Sequence, residues 1–282
     1  MNDRNYHVRI SGRQGLWDLD LRELRQYSDL IILLSKRDLS LRYKQTILGP
    51  LWLIINPILT ALTYVLIFKQ VAKIPTEGVP AILFYLVSSA AWSFFQSTLE
   101  QCSKTFISNA NIFGKVYFPR IVVPLSYLLT CFIELLSRLV LLVPFCIYFV
   151  LKEGLQIPFM TWLYLPFIIL WLAMLGVGIG IAVCALTAKY RDLNILISFA
   201  LRLWMYATPV VYPLSALADG QLKTLVLLNP LSAPVELFRK VLLGIGNVPL
   251  PYVVISLLFT LVLAAGGLIL FTKTEKNFMD TV

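Results

Sequence analysis

The segment RDLSLRYKQTILGPLWLIINP, from Arg37 to Pro57, marks the boundary that decides the fold. Three cations, Arg37, Arg42 and Lys44, stand just before the first long apolar run, and two prolines lie inside that run. Before the boundary the chain is polar enough to stay in water or at a membrane surface. After it, apolar runs alternate with short basic segments. This alternation predicts an all-α membrane protein with several transmembrane helices.

The composition excludes an ordinary soluble domain. Of the 282 residues, 59% are hydrophobic and 14% are charged, whereas soluble domains carry about 25% charged residues. The mean hydropathy is +0.80. A net charge of +9 does not indicate nucleic-acid binding here, because the basic residues lie between apolar runs, as the positive-inside rule predicts. Residues 1–29 contain charges throughout and no signal peptide, so we expect a cytoplasmic amino terminus.

The segment Leu24–Lys44 is predicted to be an amphipathic helix lying along the cytoplasmic interface. Asp20 and Glu23 have the spacing of a capping box, and apolar residues then recur at helical intervals. We expect a break near Ser35. A small soluble helical hairpin is the alternative. The expected domains are a cytoplasmic leader with this interface helix (1–46), a transmembrane domain (47–271) and a cytoplasmic tail (272–282).

Six apolar segments reach or approach the 20 or so residues that a membrane-spanning helix needs. They are Ile47–Phe68, Ala81–Leu99, Ile121–Leu151, Thr161–Thr187, Leu193–Tyr212 and Pro251–Phe271. With the amino terminus inside, 16 Lys and Arg fall in inner segments and 6 in outer segments. This bias predicts that both termini are cytoplasmic.

Two connections differ from simple turns. The inner connection Cys102–Arg120 has room for a short helix lying across the cytoplasmic ends of the spans. The outer connection Pro213–Leu250 is apolar but is broken repeatedly by glycine and proline. Broken helices at membrane depth are tolerated only when they are buried in protein or line a wet cavity, so we predict re-entrant half-helices. A plain extracellular loop is the alternative.

The sequence argues against several kinds of chemistry. It contains no GxxxxGK[ST] motif, so we do not expect ATP binding through a P-loop. Its single histidine, His7, lies in the leader, and its four cysteines form no CxxC pair. We therefore predict no metal site. Gly176 and Gly180 share a helix face within a span, which indicates close packing against another helix rather than a dinucleotide site.

Three charged residues lie within the predicted spans: Glu134, Arg138 and Arg202. A charge at the bilayer centre costs roughly 2.5–3.5 kcal/mol on insertion scales, so these groups should face the protein interior, a partner or water. They are candidates for a polar channel wall. Because Glu134 and Arg138 are four residues apart, a purely structural ion pair between them is the alternative.

Aromatic residues within the spans are further candidates for a channel lining. Rings combine an apolar face with, in Tyr and Trp, a polar edge, and a sugar chain has a similar mixture of surfaces. The deeper aromatic residues are Tyr64, Trp92, Phe94 and Phe95. Packing within the core is the alternative for each ring.

Four segments resemble a known family. RDLSLRYKQTILGPLW, NANIFGKVYFPRIVVPLS, KYRDLNILISFALRLWMYATPVVYP and LNPLSAPVELFRK are similar to the permease subunit of polysaccharide ABC exporters. This is the ABC-2 type group that exports O-antigens, capsular chains and teichoic acids. The resemblance runs in order from about Arg37 to Lys240.

The resemblance implies six transmembrane helices, an interface helix that carries Arg37, Arg42 and Lys44, and re-entrant helices between spans 5 and 6. It also implies a cytoplasmic coupling helix between spans 2 and 3 that contacts the ATPase. Ile112 and Phe113 would be its apolar knobs, and Lys115 could pair with an acid of the ATPase. The full coupling set is Asn111, Ile112, Phe113, Gly114 and Lys115.

The implied assembly is a homodimer with two copies of a separate ATPase, which would bind ATP and Mg, so that this chain is not an enzyme and holds no cofactor. The implied substrate is a lipid-linked polysaccharide in the inner membrane. O-antigen is favoured over capsular or teichoic acid chains. An ion-coupled transporter or channel, using Glu134 or Glu100, is an alternative from another class. A membrane glycosyltransferase is disfavoured because the cytoplasmic loops carry only isolated acids such as Asp192.

Overall fold

The computed structural model describes residues 25–44, 46–116, 118–187, 190 and 192–278. Within these residues the chain forms ten α-helices and no β-strand. The helices are α1 (Ser28–Tyr43), α2 (Trp52–Tyr64), α3 (Ala81–Ser103), α4 (Thr105–Phe113), α5 (Val122–Glu153), α6 (Leu165–Thr187), α7 (Leu193–Tyr206), α8 (Gln221–Leu228), α9 (Ser232–Leu243) and α10 (Leu250–Phe278). The prediction of an all-α membrane protein is confirmed.

Five of the described helical segments are long and apolar enough to cross a membrane: Gly49–Val71, Ala81–Ser103, Val122–Glu153, Phe159–Thr187 and Leu250–Glu275. The first includes α2 with a 3-10 turn before it and a π-helical turn after it. In the fourth, a 3-10 turn over Phe159–Tyr164 leads into α6. These segments correspond to five of the six predicted spans.

The remaining predicted span, Leu193–Tyr212, does not form one helix to its end. Helix α7 stops at Tyr206 after 14 residues, which is about 21 Å at 1.5 Å per residue, against a hydrocarbon thickness of about 30 Å. Pro209 explains the early end, because proline lacks the N–H that a helix needs and disfavours helical geometry in the residue before it. That the chain crosses the membrane six times, with both termini on the cytoplasmic side, therefore remains a prediction.

Helix α1 packs along the first half of α5. It runs without interruption from Ser28 to Tyr43, so the predicted break near Ser35 is wrong. Ser35 is buried against α5, where its hydroxyl accepts a hydrogen bond from Thr130 at 3.0 Å. This contact satisfies the polar group without any break in the helix. The predicted capping residues, Asp20 and Glu23, lie outside the described residues.

The centre of the molecule is built by α3, α6 and α10. A Cβ on Gly178 of α6 would lie 2.7 Å from the Cα of Ala264 in α10, and a Cβ on Gly267 would meet the carbonyl oxygen of Gly178. Gly176 and Gly180 approach α3 equally closely, which confirms their predicted packing role. Small residues let these backbones touch, so the three helices form a tight unit.

The outer connection contains two short helices, α8 and α9, joined at Asn229 and Pro230. Ten of the twelve residues of α9 are buried, which a plain extracellular loop would not achieve. Helix α9 is about 18 Å long at 1.5 Å per residue, so it is too short to cross alone. The predicted half-helices are therefore present, while their depth in the membrane stays a prediction.

Candidate functional site

Helix α4, the predicted coupling helix, has a buried face and an exposed face. Phe106, Asn109 and Phe113 are buried, and Asn109 has non-helical backbone angles that kink the helix. Phe113 therefore points inward, and the expectation that it projects as an apolar knob is wrong. Its buried surroundings are the reason: three other phenylalanine rings lie within the same cluster. Contact with the ATPase by the predicted set stays a prediction.

The exposed face of α4 and the turn after it form a continuous surface, which we call the α4 face: Ile107, Ser108, Asn111, Gly114, Lys115 and Val116. Ile112 is half-buried beneath it. Of the predicted coupling residues, Asn111, Gly114 and Lys115 thus remain accessible to a partner. The sequence missed Ile107 and Val116, since an apolar residue near a helix end gives no signal of the side it faces.

Behind the α4 face lies an aromatic cluster formed by Phe106, Phe113, Phe118 and Phe271, with Arg120 over it. Phe106 stacks on Phe271 with ring centroids 5.0 Å apart, and Phe113 lies 5.6 Å from Phe118. The Arg120 guanidinium is 5.9 Å from the Phe106 centroid and 5.6 Å from that of Phe113. Its Nη1 also donates to the main-chain oxygen of Glu275 at 2.9 Å. We call this group the α4 aromatic cluster.

The three predicted cations of the interface helix differ in their contacts. Arg37 pairs with Asp38 at 2.9 Å, and Lys44 is exposed. Arg42 reaches across to α5, where its Nη1 lies 2.5 Å from Oε1 of Glu134. This ion pair ties α1 to a membrane-spanning helix.

Glu134 also accepts a hydrogen bond from the Tyr43 hydroxyl at 3.4 Å. Burial, reinforced by the negative charge of Glu134, raises the pKa of Tyr43 to about 12, so the hydroxyl keeps its proton at physiological pH. The alternative of a Glu134–Arg138 ion pair is wrong, because Glu134 pairs with Arg42. Arg138 instead donates to the main-chain oxygen of Ser89 at 3.5 Å.

The four aromatic residues that were predicted to line a channel pack inside the single chain. Trp92, Phe94 and Phe95 are buried, and Tyr64 is half-buried with its ring centroid 5.9 Å from that of Tyr85. In the single chain these rings therefore pack as core. A role in lining a channel stays a prediction and would require the helices to separate.

Arg202 occupies a different position from the expected one. It lies on the exposed face of α7 beside exposed Phe199 and Leu203, so within one chain it does not face the interior. The cost of placing a guanidinium against lipid leaves a water-filled path or a second protein surface as its environment.

An open aromatic cavity of about 580 Å³ lies between the end of α7 and α8. Its rings come from Trp204, Tyr206 and Tyr212. Two of these rings have polar edges that hydrogen-bond within the protein: Trp204 Nε1 donates to Asn229 Oδ1 at 3.1 Å, and the Tyr212 hydroxyl donates to the Tyr206 carbonyl at 3.1 Å. The sequence missed this group because the cavity forms only where the end of α7 meets residues of α8, such as Leu222 and Leu225.

A buried ion pair on α9 was also missed by the sequence. Arg239 and Glu236 are 0% and 1% exposed and pair with each other, although Arg239 counts as an outer cation in the charge bias. Glu236 accepts the Leu214 N–H at 3.0 Å, and the guanidinium lies 4.5 Å from the Phe84 centroid. The signal available was an acid and a base three residues apart in an apolar helix.

Among the described residues, no group of three or more His, Cys, Asp or Glu side chains is placed to hold a metal ion. Cys102, Cys131, Cys146 and Cys184 are all free and buried. The arrangement offers an exposed contact surface, a buried ion pair and an aromatic cavity.

Comparisons with known proteins agree with this arrangement. The family profile of ABC-2 type transporters matches residues 29–243. An "O-antigen export system permease protein RfbA" of Klebsiella pneumoniae is 30% identical over 253 residues, covering 89% of this chain and 94% of the relative. A relative of the same name from Myxococcus xanthus is 33% identical over 215 residues, covering 75% and 79% of the two chains. The chain therefore belongs to the ABC-2 type transporter family and is a transport permease, the membrane-spanning subunit of an ABC exporter.

Proposed function

We propose that this permease exports a lipid-linked polysaccharide of the O-antigen class across the inner membrane. The observation that carries the proposal is the likeness to O-antigen export permeases along nearly their whole length. Capsular and teichoic acid chains are the alternative cargoes. An ion-coupled mechanism is less well supported, because Glu134, its main titratable candidate, is engaged by Arg42.

The energy source in this proposal is a separate ATPase subunit present in two copies, with ATP and Mg bound there. Export by ATP requires two states of the membrane bundle and a contact through which the nucleotide biases them. The α4 face is the surface that we assign to this contact. Lys115 at its edge offers a positive charge to an acidic group of the ATPase.

A homodimer would supply the path for the polymer. Helix α2 is buried over little of its length within the chain, and α7 exposes Arg202 among apolar residues. Two copies that face each other through α2 and α7 would bring Arg202 out of lipid and towards a shared, wet path. In this arrangement the aromatic cavity at the end of α7 gives sugar rings flat surfaces without binding them tightly.

The proposed topology places both termini in the cytoplasm. This topology requires that α7 and the residues after it cross the membrane, although α7 is shorter than the other spans. A bilayer can thin locally around a short hydrophobic helix at a modest cost, and the following residues up to Tyr212 add length. The α4 face would then be cytoplasmic, and α8 and α9 would lie on the outer side.

Deleting the gene from the cells that carry it tests which polymer the permease exports. We expect the surface polysaccharide to disappear and the lipid-linked chain to accumulate inside, with recovery when this permease is supplied again. Chemical analysis of the accumulated chain distinguishes O-antigen from capsular or teichoic acid polymers. An unchanged surface polysaccharide, with the permease shown to be expressed in the parent cells, would contradict the proposal.

A charge reversal on the α4 face tests the ATPase contact separately. Lys115→Glu should reduce copurification of the ATPase and its stimulation, because it places a like charge opposite the proposed acidic partner. Lys223→Glu on α8, which the proposed topology places on the outer side of the membrane, is the charge-reversal control. Equal copurification and ATPase rates for wild type and both variants would locate the contact elsewhere, with α1 as the next candidate.

A further inference from the structure

We propose that Arg120 is a positioning residue that joins α4 to α10, so that a displacement of α4 is delivered to α10 and the helices packed on it. The inference rests on the proposed function in one respect: the ATPase is taken to act at the α4 face. The residues that carry it are all on the buried side of that face.

The first step is the contact between α4 and α10. Phe106 of α4 and Phe271 of α10 are each 1% exposed, and their rings are nearly parallel, with 16° between the planes. Two buried, stacked rings leave little free space on either side. A shift of α4 therefore cannot be absorbed by empty volume at this contact.

The second step is the position of Arg120 at the junction. It is 7% exposed, just before α5. Its guanidinium covers the rings of Phe106 and Phe113 and donates to the main-chain oxygen of Glu275. One side chain thus contacts both buried rings of α4 and the backbone of α10. A planar guanidinium suits this combination of stacking and directed hydrogen bonding better than an ammonium group does.

The third step leads from α10 to the other end of the bundle. The backbones of α6 and α10 touch at Gly178 and Ala264, so a displacement of α10 acts directly on α6. Thr161, in the 3-10 turn before α6, donates to the main-chain oxygen of Val241 in α9 at 2.6 Å. A continuous set of packed elements therefore connects the α4 face to the buried helix α9. Continuity alone does not establish energetic coupling, so the test must measure coupling.

The test uses the permease and its ATPase reconstituted together in proteoliposomes. In Arg120→Gln the ATPase should stay bound and continue to hydrolyse ATP, while polysaccharide exported per ATP falls at least about 5-fold, the lower end of usual coupling effects. Arg120→Lys should recover part of this ratio. Lys273→Gln is the matched control, because it removes an exposed cation of α10 while Arg120, both rings and Glu275 stay in place, and it should export as the wild type does.

Export and ATP hydrolysis that fall in parallel in Arg120→Gln would overturn the inference and leave Arg120 with a stabilising role. An unchanged ratio would overturn it as well. Absence of ATP-driven export by the wild-type complex would instead contradict the proposed function.

A distance measurement tests the inference without export. Spin labels at Ala110→Cys in α4 and Thr274→Cys in α10 should keep a constant separation when nucleotide binds to the wild-type complex. The same separation should become nucleotide-dependent in Arg120→Gln. A nucleotide-dependent separation already in the wild type would show that α4 and α10 move independently and would overturn the inference.

Discussion

Replacing Arg239 by methionine should destabilise the protein strongly. The change removes the cation from a pair in which both side chains are essentially inaccessible to water, and it leaves the Leu214 N–H as a hydrogen-bond donor to Glu236. Removing one partner of a buried ion pair costs about 3–5 kcal/mol. Loss of the contact with the Phe84 ring adds about 0.5–2 kcal/mol, part of which the methionine side chain recovers by packing.

The double variant Arg239→Met with Glu236→Gln separates charge from packing. Replacing a whole buried pair by groups of similar volume is often neutral, so the double variant should recover most of the stability lost by Arg239→Met alone. Lys240→Met is the matched control on the neighbouring, exposed side chain. It should change the free energy of unfolding by less than about 0.5 kcal/mol.

The four buried cysteines provide the assay. A dye that fluoresces on reacting with thiols reports their exposure as the detergent-solubilised protein is heated. A loss of about 3–5 kcal/mol corresponds to a fall in apparent Tm of roughly 6–20 °C for a chain of this size. The reasoning would be refuted if Arg239→Met melted within about 2 °C of the wild type, below the smallest shift expected for 1 kcal/mol, or if the double variant were no more stable than the single one.

The pH dependence of Arg239→Met offers an independent check. Burial raises the pKa of Glu236, and the charge of Arg239 opposes that rise, so the pKa should rise further in the variant. An acid whose folded-state pKa is raised destabilises the fold increasingly as pH rises from its unfolded value towards the folded one. The deficit in stability should therefore be smaller at pH 5 than at pH 8. A deficit independent of pH would mean that the lost contacts, and not the unpaired carboxylate, cause it.

Three further predictions concern other parts of the chain. Gly178→Ala should lower stability by about 1–3 kcal/mol through overpacking against α10, whereas Gly266→Ala, whose Cβ meets nothing within 4 Å, should not; equal melting temperatures would contradict the close contact. An impermeant thiol reagent added to intact cells should label Leu222→Cys but not Lys115→Cys, and the reverse pattern would invert the proposed topology. Arg202→Leu should reduce export more than it reduces the amount of permease in the membrane, and normal export would make Arg202 dispensable for the path.

The membrane-spanning helices were predictable because their signal is local. Twenty apolar residues in a row must cross lipid or be buried, whatever the rest of the chain does. The exception is α7, which ends early near Pro209. The prediction of that span counted apolar residues and did not take the effect of the proline into account. The short helices of the outer connection were likewise predictable from the glycines and prolines between them.

The side-chain pairing of charges was not predictable in the same way. Glu134 had a nearby candidate partner in Arg138, four residues along the same helix, yet it pairs with Arg42 on α1. Only the packing of α1 along α5 brings these groups together. Phe106 gives a similar lesson: its ring stacks on Phe271, near the other end of the chain, and no local pattern reports that contact.

The contact between α6 and α10 has a consequence for how the protein is made. Helices α7, α8 and α9 lie between these two in the chain, so they leave the ribosome before α10 does. Until α10 is inserted, the side of α6 that carries Gly178 lacks its neighbour Ala264, and the aromatic cluster behind α4 lacks Phe271. Assembly of the centre must therefore follow insertion of the spans as a separate, later event. During that interval the nascent chain depends on lipid or on other membrane proteins to cover this face.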